Sequence, residues 1–342
     1  MAALKLCQVL AGAESGGLER HFADLCGGLA ERGHRVTAIA HARYADDLPP
    51  LVDFVPLDLA RSRRNPRALF DLARAIRRVR PDIVHAQASK AAAMVAAVKP
   101  WLACPGVATV HNIKRRQRML RRFERVIAVS GSVARSLQGL KVDVVHNGVD
   151  ASASVEASVV ETLRNRFSTD GRPLVLAVGR LVEAKGFDLL VDAWRGIDAT
   201  LLIAGEGPLH DALAGRIAQA GLARRIHLLG HRDDVPALMT AADLVVMPSR
   251  HEGLPYVLLE ALHLNRPVVA ARVAGAADLL PPRWLVPVAD ERALSAAIQA
   301  ALSDRERLLD DMAPVWKRAA TAFTLDAMVS NTEAVYRRVL NG

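Results

Sequence analysis

The chain has 342 residues, 51% of them hydrophobic and only 4% aromatic, with a formal net charge of +9. That length is too great for one ordinary domain and suits two of about 150 residues each, with cores built mainly from Ala, Val and Leu. Three cysteines (Cys7, Cys26 and Cys104) have no paired spacing, which argues against a disulfide framework or structural zinc site and for a reducing compartment.

Short β-rich runs alternate with longer helical patterns, which predicts parallel α/β sheets. In the first half the predicted strands are Lys5–Leu10, Val36–Ala40, Ile83–Ala86, Val107–Val110, Val126–Val129 and Val142–Val145. In the second half they are Leu174–Val178, Thr200–Ala204, Ile226–Leu228, Leu244–Met247, Pro267–Ala270 and Trp284–Val286. Each half therefore reads as a doubly wound unit with its own sheet. The expected division gives residues 1–165 to a first domain and 166–324 to a second, with a final helix over 325–342. The first strand starts too early to leave room for a signal peptide. The longest apolar run, Ala91–Val98, is far short of the roughly 20 residues that span a bilayer. The expectation is a cytoplasmic protein.

Charge is unevenly distributed. Residues 1–168 hold 26 Lys and Arg against 15 Asp and Glu, and the remainder holds 19 against 21. The excess concentrates in Arg61–Arg80, with eight arginines, and in Lys114–Arg125, with seven basic residues in twelve. Met119, Leu120 and Phe123 would share one helical face of the second stretch, which fits a membrane-surface or polyanion-facing segment. A solvated helix or a basic rim around an anionic substrate fits equally. Leu69, Leu72, Ile76 and Val79 have core-facing helical spacing within the first stretch.

Several loops carry residues suited to anion chemistry. Gly16 and Gly17 fall between the first strand and a helix expected from about Leu18, where glycine lets backbone N–H groups approach a phosphate or sugar. There is no G-x-G-x-x-G, which weakens a nicotinamide-cofactor reading. His85 and His111 end strands, as structural histidines often do; Ser130 is placed to cap a helix. Arg180 and Lys185 follow the strand Leu174–Val178, on the side where open α/β sheets hold ligands. Fixed cations there would stabilise a leaving diphosphate, although an exposed loop would accommodate the same residues. Glu252 and Glu260 lie eight positions apart across a loop-to-helix junction with Pro255 in the expected first turn. Carboxylates on either side of a phosphate-accepting helix N-terminus would suit a nucleotide sugar, with hydroxyls at both ends of a diphosphate. On spacing alone, two solvated glutamates are the simpler account.

The whole stretch from DLVVMPS (Asp243–Ser249) through RHEGLPYVLLEALHLNRP (Arg250–Pro267) to VVAARVAG (Val268–Gly275) resembles the retaining glycosyltransferases of family 4, whose signature is Glu-x7-Glu. Further similar segments run in order from residue 16. The resemblance implies the GT-B fold, two Rossmann-like doubly wound domains facing across a cleft, with the last helix crossing back onto the first. It implies that Arg180 and Lys185 hold the donor diphosphate with Gly16 and Gly17, that Glu252 contacts the sugar and that Glu260 contacts the ribose. The turn at Gly205 and Glu206 and the GHRDDVP loop with Arg232 resemble the base side of the donor site, beside Gly253 and Leu254. His111 is implied near the transferred sugar, and His85, Ser89 and Lys90 on the acceptor side.

The function implied is transfer of a sugar from a nucleoside-diphosphate donor, UDP-linked for preference, to a glycan or lipid-linked acceptor, as in lipopolysaccharide or capsule synthesis. No Asp-x-Asp motif occurs, so neither metal nor other cofactor is expected. The basic first half implies an anionic acceptor or attachment to the inner membrane face, and no specific nucleic acid. The competing readings are a GT-B sugar-nucleotide epimerase, which needs no acceptor, a non-catalytic polyanion-binding protein, and a fold that binds nucleotide without transferring sugar.

Overall fold

The computed structural model describes residues 3–13, 16–113, 117–150, 155–168 and 170–342. The chain divides into two units, one of Met1–Gly148 with Thr324–Gly342, the other of Val149–Phe323.

The first unit contains, in chain order, β1 (Lys5–Leu10), α1 (Gly17–Glu31), β2 (Arg35–Ala40), β3 (Asp53–Pro56), α2 (Pro66–Val79), β4 (Ile83–Gln87), α3 (Ala88–Val98), β5 (Gly106–Val110), β6 (Arg125–Ala128), α4 (Gly131–Arg135) and β7 (Val142–Val144). Its strands make one parallel sheet in the order β3-β2-β1-β4-β5-β6-β7. β4 and β5 are buried along their whole length, as parallel strands covered on both faces must be.

The second unit contains α5 (Ala157–Phe167), β8 (Leu174–Val178), α6 (Phe187–Ala193), β9 (Thr200–Ala204), α7 (His210–Gln219), β10 (Ile226–Gly230), α8 (Val235–Ala241), β11 (Leu244–Met247), α9 (Tyr256–His263), β12 (Val268–Ala271), α10 (Ala274–Leu279), β13 (Leu285–Val286), α11 (Glu291–Ser303) and α12 (Arg305–Ala322). Its parallel sheet runs β10-β9-β8-β11-β12-β13. The last helix, α13 (Leu325–Leu340), belongs to the first unit. It packs on α1 where Gly28 leaves no room for a side chain: a Cβ there would lie 2.5 Å from Val329 Cγ2. Glu333 of α13 accepts from Arg32 Nη1 at 2.8 Å and faces His34 Nε2 at 2.7 Å. Leu6, Leu10, Phe22, Leu25, Met328 and Tyr336 join the core between this helix pair and the sheet.

Two local expectations are corrected. β3 was absent from the predicted strands, because its sequence DFVP is short, begins with Asp, ends with Pro and is half exposed; it survives as an edge strand. The second basic stretch does not form an amphipathic surface helix over its described part. Arg118–Arg122 is a short 3-10 turn, with Leu120 and Phe123 buried in the unit, so the larger apolar side chains face inward. Lys114, Arg115 and Arg116 lie outside the described residues.

Each sheet has a point at which the chain winds off in opposite directions, between β1 and β4 in the first and between β8 and β11 in the second. Loops at the carboxyl ends of such a strand pair diverge and leave room for a ligand. Gly16 and Gly17 follow β1, Arg180 and Lys185 follow β8, and Glu252 follows β11.

Candidate active site

In the second unit, β8 and β11 pair directly, so the loops carrying Lys185 and Glu252 emerge side by side. After β8 the chain runs through Gly179 and exposed Arg180 into a 3-10 turn, Glu183–Lys185. Gly186 then reverses it with φ of 70°, and a Cβ at this position would lie 2.3 Å from the Pro248 carbonyl oxygen in the neighbouring loop. Only glycine permits both the left-handed backbone and this approach. Lys185 Nζ contacts Glu252 Oε1, and Ser249 Oγ donates to the same oxygen at 3.4 Å. The two candidate residues, 67 positions apart in sequence, thus form one ion pair with both partners mostly buried.

A second pair fixes these loops and was not singled out from the sequence. Arg250 grips Asp188 in bidentate fashion, Nη1 to Oδ1 at 2.8 Å and Nη2 to Oδ2 at 2.7 Å. Arg250 Nη1 also donates to the Glu183 carbonyl at 2.7 Å, and its backbone N–H donates to the Ala184 carbonyl at 2.8 Å. The Arg250 guanidinium holds the Asp188 carboxyl below its ordinary range. Arg250 stands two residues before Glu252, but its partner lies 62 positions away and leaves no local signal. Asp188→Asn is expected to speed hydrogen exchange at the Arg250 amide about fivefold, the effect of roughly 1 kcal/mol lost from the clamp. Exchange followed by mass spectrometry or NMR checks this; an unchanged rate would show that the backbone holds the loop without the pair.

The remaining second-unit candidates lie on the loops after β9 and β10 and on α9 with the loop before it. Gly205 N–H donates to the Gly230 carbonyl at 2.8 Å, and a Cβ on Gly205 would sit 2.0 Å from the Gly179 carbonyl oxygen, so these loops meet backbone to backbone. Leu181 N–H donates to the Glu206 carbonyl at 2.7 Å, and Glu206 Oε1 accepts from His231 N–H at 3.4 Å. Arg232 is engaged by Asp234, Nε to Oδ1 at 2.8 Å and Nη2 to Oδ2 at 2.5 Å. Pro255 is the N-cap of α9, one position before the expected first turn, with Gly253 and Leu254 buried just ahead of it. Glu260 is half-buried inside the helix.

In the first unit, Gly16 caps α1 and Gly17 begins it, so no side chain occupies the cap. His111 is half-buried beyond the end of β5, its ring edge-on to that of buried His21 with centroids 4.7 Å apart. Burial lowers the His111 pKa well below its ordinary value, and the neighbouring His21 and His85 add to the effect. Burial likewise brings His21 down to about 4 and His85 to about 3. His85 does not line an open surface, because it is 1% exposed and both ring nitrogens bond within the unit, to Tyr336 and Thr109. Ser89 and Lys90 are half-buried at the start of α3, and Lys90 Nζ donates to the Ala60 carbonyl at 2.6 Å. Ser130 caps α4 through a bond from Val133 N–H at 3.3 Å.

The family models for "Glycosyltransferase Family 4" and "Glycosyl transferases group 1" match residues 15–153 and 172–304 respectively. A lipopolysaccharide core biosynthesis mannosyltransferase, LpsB of Rhizobium meliloti, is 30% identical over 238 residues, 65% of this chain and 68% of the relative. The chain belongs to glycosyltransferase family 4. The chain also matches the alpha-D-kanosaminyltransferase of Streptomyces kanamyceticus, with 33% identity over 200 residues, 55% of this chain and 51% of that one. The chain spans about half the length of this relative and of two 2-deoxystreptamine transferases that it also matches. The crystal structure of Anabaena Alr3699/HepE in complex with UDP and glucose superposes with a TM-score of 0.86 at 21% identity, over 98% of this chain and all of the other. Its likeness, and that of the lipopolysaccharide glycosyltransferase WaaG with a TM-score of 0.73 and 18% identity, establishes the family's GT-B fold of two parallel-sheet α/β domains.

Proposed function

We propose that this family 4 protein is a retaining, metal-independent glycosyltransferase that takes a nucleoside-diphosphate sugar, with UDP as the preferred nucleotide. The observation that carries the reading is the pairing of Lys185 with Glu252 at the sheet's winding reversal, in a second unit whose loops also bring Arg180 to that edge. Negative charge grows on the departing diphosphate as the sugar–phosphate bond breaks, and the cations Arg180 and Lys185 stabilise it. Glu252 accepts from sugar hydroxyls and Glu260 from the ribose, while the base lies along the Gly205–Glu206 turn and the Arg232 loop. The first unit supplies the Gly16–Gly17 backbone, His111 beside the sugar, and the acceptor. Retention of configuration follows from front-face attack assisted by the leaving phosphate oxygen, with Glu252 a positioning group.

The acceptor we propose is an anionic or lipid-linked glycan of the cell surface. Support comes from the lipopolysaccharide-core name of one relative, LpsB, and from the basic first half. The exposed side of α2 presents Arg67, Arg74, Arg77 and Arg78 with Phe70, 64% exposed, and Trp101 is 60% exposed nearby in sequence to α3. We place the protein in the cytoplasm, with this face against the anionic inner membrane surface. No helix among the described residues is long and apolar enough to cross a membrane. Sedimentation with phosphatidylglycerol vesicles should be lost in a Phe70→Ser, Arg74→Glu, Arg77→Glu variant; equal sedimentation of the variant would remove the membrane proposal.

The activity test is an NMR assay of the anomeric proton with UDP-sugars and a core-oligosaccharide acceptor, with and without EDTA. Transfer with the donor's anomeric configuration, undiminished by EDTA, is the expected result. An inverted product, an EDTA-sensitive reaction, or an epimerised nucleotide sugar formed without acceptor would overturn the corresponding part of the proposal.

A further inference from the structure

A continuous line of buried polar side chains runs through the first unit and ends at His111. Thr109, His85, Tyr336, Gln8 and Gln87 are each at most 1% exposed. They come from β5, β4, α13, β1 and β4, so the line ties the C-terminal helix to the loop after β5. Its members bond in sequence, and the chemistry of each group fixes the sense of the next bond.

Gln8 Nε2 donates to the Tyr336 hydroxyl oxygen at 2.7 Å. The single phenolic proton is then directed at His85 Nδ1, 2.7 Å away. His85 Nδ1 is therefore an acceptor, and its Nε2 carries the proton that faces Thr109 Oγ1 at 2.7 Å. In the other direction, Gln8 Oε1 accepts from Gln87 Nε2 at 3.1 Å, and the same nitrogen faces His85 Nδ1 at 3.5 Å. With its nitrogen committed, Gln87 leaves its carbonyl oxygen for His111 Nε2, at 3.5 Å. A carbonyl oxygen only accepts, so in this sense of the line Nε2 of His111 is the protonated nitrogen. Turning one amide alone would set donor against donor or acceptor against acceptor and leave buried polar groups unpaired. The line therefore holds or reverses as a whole.

We propose that Gln87 is a positioning residue that selects one tautomer of His111, with Nε2 protonated and Nδ1 bearing the lone pair, and that Gln8 and Tyr336 set the Gln87 amide. A neutral imidazole held this way accepts a hydrogen bond through Nδ1, so the ligand group it meets is a donor such as a sugar hydroxyl. The bond made by one ring nitrogen decides the role of the other. The consequence for catalysis rests on the reading of His111 under the proposed function; the tautomer itself does not.

The test is a two-bond 15N–1H correlation spectrum of the ligand-free, 15N-histidine-labelled full chain at pH 7.5, with His111 assigned by its Gln substitution. The wild type should show His111 protonated on Nε2. Gln87→Leu should give mixed tautomers and lower kcat/KM about tenfold, the effect of one hydrogen bond. Gln87→Glu should keep Nε2 protonated and raise the His111 pKa, moving the acidic limb of the pH–kcat/KM profile upward. Tyr336→Phe, which keeps the ring and its packing, should also release the tautomer and serves if Gln87→Leu does not fold. A wild type protonated on Nδ1 would mean the line runs the other way and would overturn the proposal. A single Nε2 tautomer retained in both Gln87→Leu and Tyr336→Phe would overturn it equally. If no sugar transfer occurs in the wild type, the spectra still decide the tautomer, so the two failures are distinct.

Discussion

Lys185→Met is expected to weaken binding of the preferred nucleoside diphosphate about 10- to 100-fold, whereas Glu252→Gln is expected to tighten it. The opposite signs follow from the ion pair between the two residues in the ligand-free protein. Lys185 brings the cation to the phosphate, and a hydrogen bond to a charged group is worth roughly 1.5–3 kcal/mol. Glu252 competes for that same ammonium until the diphosphate arrives. Its neutral amide keeps the shape and removes the competition, so affinity should rise by at least about two- to fivefold, the effect of even an exposed ion pair. Transfer should nonetheless fall about a hundredfold in Glu252→Gln, because the sugar loses a charged hydrogen-bond acceptor when the bond breaks. Calorimetric titration with the diphosphate alone, paired with steady-state rates, separates these effects. Equal weakening in both variants would show that Glu252 supports Lys185 and does not compete with the phosphate.

The second large effect is acid destabilisation of the first unit through His21, His85 and His111. All three have folded-state pKa values below the unfolded value of about 6.5, burial being the main cause. Below that pH the unfolded chain takes up protons that the folded chain refuses. Their stability penalty is therefore absent above about pH 6.5 and grows as pH falls, down to about 4 for His21 and about 3 for His85. Each contributes about 1.4 kcal/mol per pH unit within its window. Urea midpoints measured from pH 7.5 to 4.5 should fall steeply, and His85→Gln should make the slope shallower. Asp188 and Asp234, held low by Arg250 and Arg232, lose their stabilising charge only as pH falls below about 4, so the histidine window stands apart. A flat midpoint between pH 6.5 and 4.5 would contradict the buried neutral trio.

Much of this was legible in the chain because parallel strands are apolar runs with little else to confuse them. Lys5–Leu10, Leu174–Val178, Thr200–Ala204 and Leu244–Met247 have the bounds their sequences predicted, and Leu325–Leu340 is the expected helix. DFVP lacked the apolar length to register as a strand, and its place depends on pairing with β2. Met119, Leu120 and Phe123 read as a surface stripe, but a window of sequence does not say which side of a segment meets the core. Family resemblance singled out Lys185 and Glu252, but only the pairing of β8 with β11 makes them neighbours. Arg250 with Asp188, and Gln8 with Gln87 and Tyr336, escaped notice for the same reason. Their partners lie tens to hundreds of residues apart, and each residue type alone is ordinary.

A nucleoside-diphosphate site at the carboxyl edge of the second sheet is tested by a thermal-shift panel of UDP, GDP, ADP, TDP and CMP. Wild type, Lys185→Met and Glu260→Ala should be run together. A ligand at 100 times its dissociation constant stabilises the folded state by about 2.7 kcal/mol, enough for a clear shift. One diphosphate, UDP first, should raise the wild-type midpoint, and both variants should lose most of the rise at the same concentration. No shift with any diphosphate at saturation, or equal shifts in all three proteins, would contradict it.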